Sequence, residues 1–113
     1  MQNTVFRGYN MQVNSVPAEI MLVQDNTNAA ALVLQNLGFR ILHIGTTISV
    51  EGPETLWESV FNVSFVTRKK QILPGIEGGD ASYRKAITDN LEIPLKLRQY
   101  ISGVAFVEPP EFF

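Results

Sequence analysis

Hydrophobic and polar positions change period several times along these 113 residues, and each change marks a predicted element. Thr4 to Val13 alternate loosely, with Val5, Tyr9, Met11 and Val13 on one side. They predict an N-terminal edge strand, weakened by Gly8. Pro17 breaks the chain, and the short apolar run from Glu19 to Gln24 then predicts a strand buried on both faces. "DNTN" (Asp25 to Asn28) supplies helix-capping residues. Ala30, Val33, Leu34 and Leu37 follow at helical spacing as a single apolar stripe, and Gly38 stands where a left-handed cap closes the helix.

Phe39 to Ile44 predicts a return strand, and "GTT" a tight connection. In "TISVE" (Thr47 to Glu51), Ile48 and Val50 alternate against Thr47, Ser49 and Glu51, which predicts a half-buried strand. Gly52 and Pro53 stop it, Pro53 at the first position of a second helix and Glu54 near its positive end. The apolar face of that helix is Leu56, Trp57, Val60 and Phe61. Asn62 to Ile72 predicts the next strand, Leu73 to Ser82 a Gly- and Pro-rich loop, and Pro94 the start of a short helix with Leu97, Tyr100 and Ile101 inward. Pro109 and Pro110 forbid a helix in the last residues and favour an extended tail.

The order strand, helix, strand, strand, helix, strand predicts the α+β class and, within it, a ferredoxin-like β-α-β-β-α-β sandwich. Its four-stranded antiparallel sheet would carry both helices on one face and leave the other open. A chain of 113 residues is one domain, 1–113, with a core over about 17–107 and the tail at 108–113. That length buries roughly 65% of the unfolded surface, and 45% hydrophobic with 18% charged residues fits a folded globule.

Composition narrows the chemistry. A net charge of −2 gives no basic footprint for nucleic acid. Without cysteine, thiolate chemistry is excluded, and the single histidine, His43, lies in an apolar strand with no second ligand for a metal. Glu54 and Glu58 are one helical turn apart, a solvated pair rather than an acid and a base. "GIEGGD" (Gly75 to Asp80) lacks the Lys and Ser/Thr of a phosphate loop, and "TRKK" (Thr67 to Lys70) reads as a solvated strand end. Neither a cofactor nor a metal is expected, and no nucleophile, base and oxyanion donor occur together, so an enzyme is not expected. No run of 18 apolar residues and no signal-peptide pattern is present, so neither membrane nor export is expected and a cytoplasmic location is favoured.

"LQNLGFRILHIGTTISVEGPETLWESVFNVSF" resembles the N-terminal activation domain of sedolisin-type serine proteases such as kumamolisin. Leu37, Gly38 and Phe39 stand at the family's helix-to-strand turn, Val50 and Gly52 end the second strand, and Val60-Phe61 close the small helix. "LEIPLKLRQYISGVAFVE" is similar to a later segment of that domain at Ile93, Pro94, Leu97, Ile101 and Val104, and departs from it at Phe106. The resemblance spans about 19–107 and rests mostly on core and turn positions.

It implies a binding module that inhibits a serine protease or assists its folding. Because no protease domain follows within these residues, it would act in trans. It further implies that the open face, carrying Thr47, Ser49 and Glu51, docks on the enzyme. The tail Val107, Glu108, Pro109, Pro110, Phe112 and Phe113 would lie extended in the active-site cleft. The other reading of the tail is a hydrophobic strap over its own domain. Two other functions fit the same architecture: an assembly protein that dimerises through the open face, and a sensor binding a small ligand at a dimer interface.

Overall fold

A computed structural model of the chain describes residues 15–23, 26–71 and 80–107. The elements run β1 (Ser15–Leu22), α1 (Thr27–Leu37), β2 (Arg40–Ile44), β3 (Ile48–Pro53), α2 (Glu54–Phe61), β4 (Ser64–Gln71), β5 (Asp80–Ile87), a 3-10 turn (Leu95–Leu97) and β6 (Ile101–Phe106). The chain is therefore α+β, with a four-stranded sheet in the order β2-β3-β1-β6 and a two-stranded sheet of β4 and β5. Every pairing is antiparallel.

Local chemistry explains most of the boundaries. Gly38 closes α1 at φ 116°, its N–H donating to the carbonyl of Gln35. Asn26 precedes α1 without a side-chain capping bond, and Asp25 lies outside the described residues. Pro53 is the last residue of β3, and α2 starts one position later than expected, with Glu54 in its first turn. The turn between β2 and β3 is tight, the Gly45 N–H donating to the Thr47 carbonyl at 2.9 Å.

Two expected strands differ in kind. Strand β1 begins before Pro17 instead of after it. Its pairing with β3 runs from Ser15 to Ile20, whereas its pairing with β6 starts only at Ala18. At Pro17 the strand thus has a neighbour on one side only, where a missing N–H costs least. Nor is β1 buried on both faces: Ala18 and Ile20 are buried, while Glu19 and Met21 between and beyond them are half-buried.

The segment expected as the fourth strand of the sheet is a strand, but β4 pairs with β5 from Ser64↔Ile87 to Gln71↔Asp80. The sheet instead takes β6 as its neighbour to β1. Asp80 to Ser82 belong to β5, not to a loop, and the helix expected near Pro94 is the single 3-10 turn. The N-terminal edge strand expected over Thr4 to Val13 lies outside the described residues.

One core joins the layers. Ala18, Ile20, Ile48 and Val50 from the sheet meet Ala30, Ala31 and Leu34 of α1 and Trp57 and Phe61 of α2. The aromatic centre is Trp57, with ring centroids 4.6 Å from Phe39, 5.5 Å from Phe61 and 4.7 Å from Phe106. Phe106 in turn meets Phe65 edge-on at 6.2 Å, which fastens the two-stranded sheet to the main core. Each such side chain, once fully buried, contributes about 1.5–3 kcal/mol.

Candidate functional site: the bare face of the sheet

The residues that alternate with the core positions form the other face of the sheet. On β3 these are Ser49 and Glu51, on β1 Pro17, Glu19 and Met21, on β6 Ala105, and on β2 Arg40 and His43. All are exposed or half-buried, and no described helix lies over them. Thr47, Ser49 and Glu51 lie on this side of the sheet.

Glu19 is its centre. The antiparallel register sets it between Ser49 on one flank and Ala105 on the other. The tight β2–β3 turn delivers Thr47 two residues from Ser49, hence to the same face. Thr47 Oγ1 donates to Glu19 Oε1 at 2.6 Å, and Ser49 Oγ donates to Glu19 Oε2 at 2.6 Å. These are charge-assisted lengths. The Ser49 hydroxyl first, then that of Thr47, holds the Glu19 carboxyl below its ordinary value, against the opposing effect of partial burial.

Beside this centre, Arg40 faces Glu51 directly across the β2–β3 pair, Nη1 to Oε2 at 3.1 Å. The Arg40 side chain is 65% exposed, so this is a solvated pair of small energetic weight. His43, paired with Ser49 in register, is exposed at the edge strand. Among the described residues no group of three or more His, Cys, Asp or Glu side chains is placed to hold a metal ion. Nor is any described helix long and apolar enough to cross a membrane.

The tail residues expected at the same site divide. Val107 is exposed and follows β6, two positions beyond Ala105, which sits opposite Glu19. Glu108, Pro109, Pro110, Phe112 and Phe113 lie outside the described residues. The residue missing from expectation is Glu19. Its place at the head of an apolar run marks it as a strand residue, but only the cross-strand register reveals the two hydroxyls that face it.

A second polar contact lies at the other end of the fold. Arg84 on β5 grips Glu54 of α2 with two donors, Nε to Oε2 and Nη2 to Oε1, each at 2.9 Å. Arg84 also donates to Thr67 Oγ1 at 2.8 Å. This arrangement ties the hairpin to α2 and engages both carboxylate oxygens of Glu54, so it is a structural clamp. Comparison of the chain with protein-family models, with curated proteins and with solved structures finds no match.

Proposed function

We propose that this chain is a protein-binding module of ferredoxin-like form that docks through the bare face of its sheet on a serine protease of sedolisin or subtilisin type, as inhibitor or folding chaperone. The observation that carries the reading is the asymmetry of the sheet. Ala18, Ile20, Ile48 and Val50 are buried against the helices, while Glu19, Ser49 and Glu51 on the opposite face are only half-buried and no described helix lies over them. The order β2-β3-β1-β6 supports the ferredoxin-like reading, with the β4–β5 hairpin as an insertion ahead of the last strand. The resemblance of residues 19–107 to sedolisin activation domains supports the choice of partner.

A rigid, preformed face spends little ordering entropy on association, which suits a docking surface better than a loop. The test is direct. The purified chain is added to sedolisin-type and subtilisin-type peptidases, and both peptidase activity and recovery from denaturant are followed. Saturable inhibition or faster recovery is expected, weakened roughly tenfold or more by Ser49→Arg, which plants a bulky cation in the contact surface. Failure to affect any peptidase, together with a mass that doubles from 12.6 kDa with concentration and is restored by Ser49→Arg, would replace this reading with self-association.

A further inference from the structure

Three glutamates among the described residues are half-buried: Glu19, Glu51 and Glu54. Two of them have a guanidinium as partner, Glu51 from Arg40 and Glu54 from Arg84. Glu19 has none. Its carboxylate is held by two neutral hydroxyls, which supply dipoles but no counter-charge, and the one charged influence on it is a weaker one from the exposed imidazole of His43.

The bonding pattern also fixes what the spot still offers. Thr47 and Ser49 each spend their one hydroxyl proton inward on Glu19, so their oxygens and the remaining carboxylate lone pairs face outward as acceptors. The centre of the bare face is thus a cluster of acceptors bearing a full negative charge. A group that only donates and is positively charged complements it. Arginine meets that description with five donors in a planar fork, lysine with three on one ammonium. The surroundings permit approach, because Ala105 on the β6 flank is small and exposed and Pro17 beside it on β1 is exposed.

We infer that the bare face engages its protein partner through a basic side chain, an arginine or lysine, seated on Glu19 between Thr47 and Ser49. This rests on the docking reading above and names the chemistry of the contact. The two hydroxyls act as positioning residues: they fix the carboxylate's orientation, so that the seat is formed before the partner arrives. The Arg40–Glu51 pair borders the seat, with Arg40 Nη1 directed at Glu51.

The test uses the full chain, labelled with nitrogen-15, and N-acetyl-arginine amide as the probe. N-acetyl-citrulline amide is the neutral control of the same shape. Saturable displacement of the amide signals of Glu19, Thr47 and Ser49 by the arginine probe is expected, roughly tenfold weaker for citrulline and for Glu19→Gln. Glu58→Gln, on an exposed position of α2, should respond as the wild type does. Unmoved signals, or equal movement with citrulline, would overturn the inference, and the wild-type comparison decides this even if Glu19→Gln folds poorly. No protease enters the titration. A flat titration beside an inhibited protease therefore retires the arginine seat alone, and a specific titration beside an unaffected protease retires the protease alone.

Discussion

Trp57 Nε1 donates to the carbonyl of Val16 at 3.0 Å, so the largest core side chain is also hydrogen-bonded to the backbone of β1. The ring is completely buried and touches Phe39, Phe61 and Phe106. Trp57→Phe keeps an aromatic body but removes the donor and part of the volume. It should cost about 2–4 kcal/mol in urea denaturation, the sum of an unpaired half-buried carbonyl and a partial cavity. A loss under half a kcal/mol would show that the Val16 carbonyl finds water at no cost.

Acid should weaken the fold, and Ser49 should govern part of the loss. The folded Glu19 carboxyl titrates below its unfolded value, so its ionised form contributes stability fully above about pH 4.5, and that contribution fades as pH falls through the folded value. Glu54 acts in the same direction, through its hydrogen bonds from Arg84. Ser49→Ala removes the largest cause of the Glu19 shift. At neutral pH it should cost about 1 kcal/mol, and the gap from wild type should close on acidification. Urea melts at pH 7, 5 and 3 measure it. A gap that stays constant across those values would separate Ser49 from the ionisation of Glu19.

Gly52 is required by packing, not by backbone geometry. A Cβ at this position would stand 2.9 Å from Phe39 Cδ1 and 3.1 Å from Leu56 Cδ2. Gly52→Ala must therefore displace a core ring or α2, at about 1–3 kcal/mol. Gly38→Ala meets open enough space, its nearest contact being Leu56 Cδ2 at 3.4 Å, but carries a φ of 116° and should cost about 1 kcal/mol by strain alone. Heat-capacity scans of both variants, with the side chain of Phe39 located in the first, distinguish the two mechanisms.

How much of this was legible in the sequence follows from what each feature depends on. The helical stripe Ala30, Val33, Leu34 and Leu37, the cap at Gly38 and the face of Leu56, Trp57, Val60 and Phe61 are set by neighbours in the chain, and all stand as the pattern predicts. The outward row Thr47, Ser49 and Glu51 follows from the period of two in the same way. The partner of β4 does not. Ser64–Gln71 reads as a strand, but nothing in its own residues says whether its neighbour is β1 or a strand that follows. Strand β5, "DASYRKAI", has weak alternation and three charges, so its existence depends on pairing with β4. Glu19 escaped for a related reason. Its significance lies in register with Ser49, thirty residues away.

The β4–β5 hairpin should open before the main sheet. A two-stranded sheet has half its backbone bonds at solvent, and this one is fixed to the rest chiefly by Phe65 against Phe106 and by the Arg84–Glu54 clamp. Native-state hydrogen exchange should show the amides of β4 and β5 opening at a lower free energy than those of β1 and β3. Phe65→Ala should lower the hairpin's opening energy further while leaving β1 and β3 within experimental error of each other's wild-type rates at low denaturant. Equal protection of both sheets would mean that the whole chain unfolds as one unit.

The tail can be assigned by a single truncation read two ways. Strand β6 brings Ala105 level with Glu19, and Val107 just beyond the strand is exposed. If residues 108–113 enter a protease cleft, a chain ending at Val107 should melt at the wild-type temperature but inhibit at least about tenfold less, because the extended Pro109-Pro110 path and the Phe112 and Phe113 side chains no longer contribute to the contact. If they strap their own domain, the melting temperature should fall by several degrees, as roughly 1 kcal/mol of apolar cover is removed, and inhibition should be retained once the chain is folded. Unchanged melting with unchanged inhibition would take the tail out of both stability and mechanism, and would leave the bare face around Glu19 as the whole of the contact.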